Sequence, residues 1–325
     1  MALCQFLHYK FLPLSGKILE TTALFCYNER EWSFVSIPFG NRPPIAPPCP
    51  FHRVGGAICI KTGKECKMVF NYYPGCTLRT KAKDLDKKAR ACAEALGISL
   101  EENPQWQCCG GCYPVARDEI ATKLSAVRTV MDAAAANRPV VTVCSACHNV
   151  LKRVNADMKN DETIRDRVNR YLENESPYGG EGEVIHYLEM LRDKVGFEAL
   201  KKAVKKPLTG RKIGAYYGCL LLRPGKVMAF DDPENPSVME DFIRALGAEP
   251  VIWAYHNECC GAYLALEDSA SVSKKSNAVL ENAKAAGADT VITACPLCLY
   301  NLKKNGREDC VVYFTELLYE ALGLE

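Results

Sequence analysis

The sequence predicts an α/β protein of two pseudo-repeated domains, each a mostly parallel sheet flanked by helices, with cysteine loops at the carboxyl ends of the strands. Three observations carry that expectation. A five-cysteine pattern occurs twice at matched spacing, and short β-rich runs alternate with helical periodicities in the same order in both copies. The chain is also 325 residues long and 48% hydrophobic, enough to bury a core without covalent staples.

In the first copy, Cys76 is followed after 31 residues by Cys108-Cys109, then after 34 residues by Cys144-x-x-Cys147. In the second, Cys219 is followed after 39 residues by Cys259-Cys260, then after 34 by Cys295-x-x-Cys298. Both adjacent pairs run into glycine, Gly110 and Gly261, and both opening cysteines end an aromatic run, Tyr72-Tyr73-Pro74-Gly75-Cys76 and Tyr216-Tyr217-Gly218-Cys219. A shared gap and a shared signature mark a duplication.

Met68 to Tyr73 is predicted as a strand ending at the Pro74-Gly75-Cys76 turn. A helix from about Arg79 follows, with Leu85, Ala89, Cys92 and Leu96 on one face and Gly97 at its end. After the first cysteine pair, Ile120, Leu124, Val127, Met131 and Ala134 mark a second helix, and Val140 to Val143 a strand delivering Cys144. The second half repeats this order. Lys212 to Tyr217 delivers Cys219, Val251 to Ala254 precedes the pair, a helix carries Val272, Val279, Ala283 and Ala286, and Val291 to Thr293 delivers Cys295. Alternating β and α elements imply a parallel sheet, whose ligands bind beyond the carboxyl ends of the strands. Each C-x-x-C is expected to open a helix, whose free N–H groups support anionic thiolates.

A disulfide scaffold fits short, secreted, core-poor chains. Here Lys10 and Lys17 interrupt the early apolar residues, no small-residue cleavage site follows, and neighbouring cysteines make strained disulfides. The expectation is a reduced, cytoplasmic protein using thiolates as metal ligands. Structural zinc wants four ligands, commonly in two C-x-x-C knuckles. Each half offers one C-x-x-C, one adjacent pair and one isolated cysteine, one thiolate too many and the wrong layout. Thiolates also hold iron–sulfur clusters, usually four to a cluster, and a fifth suggests a cluster of unusual shape.

These residues resemble the CCG cysteine-rich domains of the heterodisulfide reductase B-subunit family, whose motif is C-x(31–39)-CC-x(34–36)-C-x-x-C. All four long gaps fit, and the likeness runs from about Met68 to the end of the chain. It implies a non-cubane four-iron four-sulfur cluster on Cys76, Cys108, Cys109, Cys144 and Cys147, and a second on Cys219, Cys259, Cys260, Cys295 and Cys298. It also implies that the two clusters flank a disulfide and cleave it reductively, so that these ten cysteines are catalytic through the clusters. Both motifs are complete and no C-x-x-C-x-x-C-x-x-x-C ferredoxin run is present, which favours a stand-alone catalytic subunit.

Disulfide cleavage takes two electrons and two protons, and clusters commonly pass single electrons, so a pair of clusters matches the count. No G-x-G-x-x-G fingerprint is present. The resemblance therefore implies outside electron delivery within the same complex, through a ferredoxin-like C-type subunit fed by a flavin-containing A-type subunit. The alternative reading is an iron–sulfur electron-transfer subunit of a flavin-dependent glycolate, lactate or glycerol-3-phosphate dehydrogenase complex, accepting electrons from the flavin dehydrogenase or feeding a quinone. Methanogen members act on the coenzyme M–coenzyme B disulfide; nothing in this sequence locates a sulfonate or phosphate pocket.

Cys92 lies on an apolar helical stripe and reads as core, and Cys310 begins the apolar run Val311 to Phe314, expected as a late strand. Cys112 reads as a bystander, because Tyr263 holds the corresponding place in the second copy. His148 and His256 flank the cysteine motifs, as packing residues or as proton donors to a leaving thiolate. His256 is the candidate donor. Neither has a counterpart in the other copy, since Leu299 follows Cys298.

Residues 1–67 are expected to be a non-globular extension or translated leader, with six prolines between 38 and 50. Cys4, Cys26, Cys49, Cys59 and Cys66 do not reproduce the five-cysteine spacing. Met68 stands where related subunits begin, and Lys64-Glu65 is encodable as a ribosome-binding AAG-GAG; the competing expectation is an extension that docks a partner. The first iron–sulfur domain is placed at 68–206 and the second at 207–325, divided within the polar stretch 152–212 near Lys201, Lys202, Lys205, Lys206 and Pro207. With 41 basic and 39 acidic residues and a net charge of +2, nucleic acid is not an expected partner. No apolar run has the roughly 18 residues needed to span a bilayer, so direct membrane insertion is not expected.

Overall fold

The structure, a computed structural model, describes residues 4–11, 19–28, 31–36, 51–54, 57–62, 65–111, 119–173, 177–265, 267–306 and 309–325, with side chains described from Lys67 onward. The proline-rich segment 38–50 and Cys112 lie outside the described residues. The chain divides into two compact units, Met1–Pro50 and Phe51–Glu325. In the first, β1 (Cys4–Phe11), β2 (Leu19–Asn28) and β3 (Glu31–Ser36) pair antiparallel in the order β1-β2-β3.

The second unit contains both five-cysteine sets and two parallel sheets. It begins with β4 (Phe51–Val54) and β5 (Ala57–Thr62), which pair antiparallel onto the start of β6 (Glu65–Tyr73). From β6 the chain turns into helices α1 (Gly75–Thr80) and α2 (Lys83–Ala95), then runs as β7 (Ile98–Glu102). Helix α3 (Leu124–Ala135) leads to β8 (Val140–Thr142), α4 (Ser145–Asn160) and α5 (Glu162–Leu172). Strand β9 (Val184–His186) follows, then α6 (Tyr187–Glu189) and α7 (Phe197–Ala203). The order β7-β6-β8-β9 is parallel throughout.

The second sheet repeats it. Strand β10 (Lys212–Tyr216) is followed by α8 (Gly225–Met228), α9 (Val238–Ala245) and β11 (Glu249–Val251). Helix α10 (Ser269–Ala285), β12 (Thr290–Thr293), α11 (Pro296–Gly306), β13 (Val311–Tyr313) and α12 (Phe314–Ala321) complete the chain. The order β11-β10-β12-β13 matches the first sheet strand for strand and is again parallel. Helices cover the faces of such sheets, so the strands read as unbroken apolar runs, and β8 and β9 are buried at every residue.

The sequence expectation of an α/β pseudo-repeat holds, with three local differences. The helix expected from Arg79 is two helices, because the chain enters α1 straight from the Gly75 turn and breaks at Lys81-Ala82. The strand before the second cysteine pair is Glu249–Val251, ending where the expected one began. Most of the stretch 152–212 is folded structure, and its last residues bond into the second half, Lys205 and Lys206 to Ala321 and Leu208 to Leu246. It carries the end of α4, α5, the fourth strand β9, and α7. Polar helical faces mask a strand of only three residues, Val184-Ile185-His186.

The halves share one core. Helix α2 lies against α12, where Lys88 pairs with Glu316 at 3.2 Å and the Cys92 thiol donates to the Thr315 carbonyl at 3.8 Å. Burial pushes the Cys92 thiol up to about 12, as befits a core residue. Asn149, buried on α4, donates to the Leu220 and Arg223 carbonyls at 2.8 and 2.7 Å in the other half.

Candidate metal centre

The last register row of each sheet sets up its cysteines. In the first sheet Tyr73, Thr142 and His186 stand side by side; in the second, Tyr216, Thr293 and Tyr313 do. One step beyond these rows the chain delivers sulfur. The threonine hydroxyls accept from the amides of Cys144 and Cys295, each at 3.4 Å, fixing how each C-x-x-C enters its helix. Cys144 is the cap of α4, and the first turns close alike, His148 N donating to Cys144 O and Leu299 N to Cys295 O, both at 2.9 Å.

Gly75 and Gly218 supply the opening cysteines from equivalent turns. Both have positive φ, +75° and +62°, and a Cβ would stand 2.8 Å from the Cys147 sulfur at Gly75 and 3.3 Å from the Cys298 sulfur at Gly218. Glycine is required there by backbone angle and by the close approach of sulfur. The adjacent pairs are held by Tyr73, which donates to the Gln107 carbonyl at 2.6 Å, and by Tyr216, which donates to the Glu258 carbonyl at 2.7 Å. In each case that carbonyl belongs to the residue just before the pair.

All ten predicted cysteines gather at the carboxyl ends of the strands in two matched sets. Cys109 lies 3.6 Å from Cys147, and Cys260 lies 3.5 Å from Cys298. Cys109, Cys144, Cys147, Cys260, Cys295 and Cys298 are buried, Cys76, Cys219 and Cys259 are half-buried, and Cys108 is exposed. The two sets meet. Cys144 and Cys295 lie near enough for each to shift the other's proton affinity, Ser145 donates to the Ala294 carbonyl through its amide at 3.2 Å and its hydroxyl at 2.8 Å, and the Tyr313 hydroxyl reaches the carbonyls of both Val143 and Ala294.

Crowded thiols share protons unevenly. Hydrogen bonds from Cys108 and Cys147, with the Gly111 amide and Tyr73 behind them, draw Cys109 well below the ordinary thiol value. Cys219 and Cys260, with the Gly261 amide 3.3 Å from the sulfur, do the same for Cys259. Cys144 and Cys298 do it for Cys295. Each set therefore contains a centre that favours thiolate, the form that binds metal. Among the described residues no group of three or more Cys, His, Asp or Glu is drawn in to where it could hold one metal ion. The ten thiols are spread around two centres, a donor set of sulfur alone, and this chemistry fits an iron–sulfur cluster in each half.

The histidines lie behind the thiols. His148 is fully buried with Nε2 2.9 Å from Glu189, and burial lowers its pKa. His256 is buried against the Tyr217 ring, its Nδ1 3.8 Å from Glu240, whose other oxygen accepts from the Tyr217 hydroxyl. Tyr217, with Ser145, Cys219, Cys259, Cys260, Cys295 and Cys298, lines a small cavity at the second set. Beside the first set, Cys108 and Cys109 border an open cleft of about 530 Å³ with Lys123, Arg153 and Asp157.

With that geometry, the comparison with known proteins is direct. The family described as CCG, cysteine-rich domain, matches residues 70–152 and 213–303. The chain belongs to this family of paired CCG domains, which includes the B subunits of heterodisulfide reductases. The 8-methylmenaquinol:fumarate reductase membrane anchor subunit of Wolinella succinogenes is 34% identical over 78% of this chain and 92% of that one. The B subunit of the ferredoxin/F420H2-dependent CoB-CoM heterodisulfide reductase of Methanosarcina acetivorans is 29% identical over 70% of this chain and 76% of that one. The crystal structure of a hypothetical protein from Helicobacter pylori superimposes with a TM-score of 0.63 at 13% identity, over 84% of this chain and 52% of that one, a likeness of fold alone. No helix among the described residues is long and apolar enough to cross a membrane.

Sequence reasoning found the ten cysteines and missed their supports. Tyr73 and Tyr216 were visible in the repeated aromatic runs before Cys76 and Cys219, and Thr142 and Thr293 in the repeated Thr-x-Cys. Tyr313 and His186 had no such signal, because the duplication has diverged at that position.

Proposed function

We propose that this CCG protein is the iron–sulfur subunit of a multi-subunit oxidoreductase and the place where two single electrons are combined into a two-electron reaction. Cys76, Cys108, Cys109, Cys144 and Cys147 would hold one four-iron four-sulfur cluster, and Cys219, Cys259, Cys260, Cys295 and Cys298 the second. Bound there, the clusters supply one-electron redox chemistry; the five-thiolate sets favour the non-cubane form. The observation that carries the reading is the seam at which Ser145, next to Cys144, donates to the carbonyl of Ala294, next to Cys295, which brings the two sets together without another protein between them.

The reaction proposed first is reduction of a disulfide to two thiols, with electrons from a ferredoxin-like C-type subunit and a flavin-containing A-type subunit. It is supported by the relatives named as B subunits of heterodisulfide reductases. Two protons must arrive as well. His256, backed by Glu240 and separated from the cavity by Tyr217, is the donor this reading assigns to one leaving thiolate, and water supplies the other proton. The protein's own contribution is to order the thiolates, exclude water from their buried members and hold that proton. The two iron–sulfur domains are taken as 68–206 and 207–325.

A second reading has a specific observation behind it, the 34% identity to a component of a methylmenaquinol:fumarate reductase. It makes the chain an electron-transfer component linking a quinol to a flavin-bearing partner, with the same cysteine sites. Rapid mixing of the anaerobically reduced protein separates the two. Reoxidation by an asymmetric organic disulfide with release of two thiols supports disulfide reduction. Reoxidation by a menaquinone analogue, with disulfide inert, overturns it in favour of quinone-linked transfer. Stoichiometric zinc without acid-labile sulfide would overturn both.

A further inference from the structure

The two tyrosines beneath the adjacent cysteine pairs have a burial and a placement that the strand ends alone do not require. Tyr73 and Tyr216 are 1% and 0% exposed, and each is the last residue of the strand that delivers its opening cysteine. Each hydroxyl donates to the carbonyl preceding its cysteine pair, at 2.6 and 2.7 Å. The ring of each also stands behind the glycine that lets sulfur approach, Tyr73 Cε1 3.6 Å from a Cβ position at Gly75 and Tyr216 Cε1 3.6 Å from one at Gly218. One phenol therefore touches the turn of the first cysteine and the loop of the next two. The electrostatic neighbours agree: Tyr73 is influenced by Cys147, Cys109, Cys108 and Cys76, and Tyr216 by Cys298, Cys260, Cys259 and Cys219. Each tyrosine thus lies within electrostatic reach of four of the five cysteines of its own set.

We propose that Tyr73 and Tyr216 are positioning residues for the two clusters, each fixing the adjacent-cysteine loop of its own half and setting that half's redox properties separately from the other's. The proposal rests on the cluster reading above and adds to it which side chains make the two centres individually adjustable. The geometry is the same in both halves, Tyr73 on Gln107 and Tyr216 on Glu258. Hydrogen bonding at the sulfurs and solvent exposure are determinants of a cluster's reduction potential, and both follow from where the adjacent-cysteine loop is held. Loss of either hydroxyl should therefore shift the potential of its own half's cluster alone.

The test uses the full chain, purified anaerobically, as wild type, Tyr73→Phe and Tyr216→Phe. Phenylalanine keeps the ring and removes only the hydroxyl. Tyr178→Phe, a buried phenol that donates to Asn155, is the control. Iron, acid-labile sulfide and the midpoint potential of each cluster are read by redox titration with electron paramagnetic resonance. The expected result is unchanged iron with one signal shifted in Tyr73→Phe, the other shifted in Tyr216→Phe, and neither in the control. A wild type with two clusters whose potentials ignore both substitutions, or move together in each, overturns the tyrosine assignment and leaves the cluster reading standing. A wild type without acid-labile sulfide overturns the cluster reading itself.

Discussion

Ser145 donates to the Ala294 carbonyl across the seam between the two halves, at 3.2 Å from its amide and 2.8 Å from its hydroxyl, one residue after Cys144 and one before Cys295. The bonds join the two sets at their innermost cysteines. Whatever charge one set carries is felt directly by the other, because little solvent lies between buried sulfurs to screen it.

Each five-cysteine set should be separable by mutation. Cys109→Ser and Cys260→Ser should each lose about four of about eight irons, the content of two clusters of the four-iron class, and leave the other cluster's spectrum in place. Loss of both spectra from either change would mean that the sets do not load independently.

Two-electron chemistry should need both sets. The Cys260→Ser variant should accept one electron at its remaining cluster yet reduce disulfide at less than about one hundredth of the wild-type rate, since capture of the second sulfur is no longer intramolecular. Wild-type turnover in that variant would remove the reason for placing two clusters together.

Gly75→Ala should be more damaging than Gly218→Ala. Both add about 1–2 kcal/mol of left-handed backbone strain, but the new Cβ stands 2.8 Å from sulfur at Gly75 and 3.3 Å at Gly218. Cys147 has to move in the first variant, so its iron content should fall toward half, while the second keeps most of its iron. Metal analysis of the two proteins side by side decides this.

Acid should loosen the seam. His186 is fully buried, and burial with His148 nearby lowers its pKa from 6.5 to about 3. The unfolded chain binds a proton near pH 6.5 that the native ring refuses, so stability is full above that pH and falls as pH drops toward 3. The slope is at most about 1.4 kcal/mol per pH unit for this ring, and His148, also lowered by burial, adds in the same direction. Urea denaturation between pH 7.5 and 5 should show the loss, and His186→Gln should flatten it.

Much of this was legible in the sequence, for a physical reason. A repeated spacing marked both cysteine sets, and parallel strands buried on two faces produced recognisable runs such as Val140 to Val143. Strand β9 escaped because three residues between polar helices carry no periodicity. The seam escaped because it depends on tertiary approach: neither Ser145 nor Ala294 has a sequence signal announcing the other. Tyr73 and Tyr216 were in plain view, but an aromatic run at a strand end reads as core until its hydroxyls find their carbonyls.

The row positions of His186 and Tyr313 carry a historical consequence. Cys144 with Cys295, Val143 with Ala294, and His186 with Tyr313 are matched pairs across the seam, the relation that two identical protomers make across an isologous interface. A single ancestral half, paired with its own copy, would already have had the same seam and two identical centres. Fusion into one chain freed the pairs to diverge, and Tyr313 now serves both Val143 and Ala294 where symmetry would have demanded two like residues. Asymmetry between the two halves is thus something that a single chain can carry and a pair of identical protomers cannot.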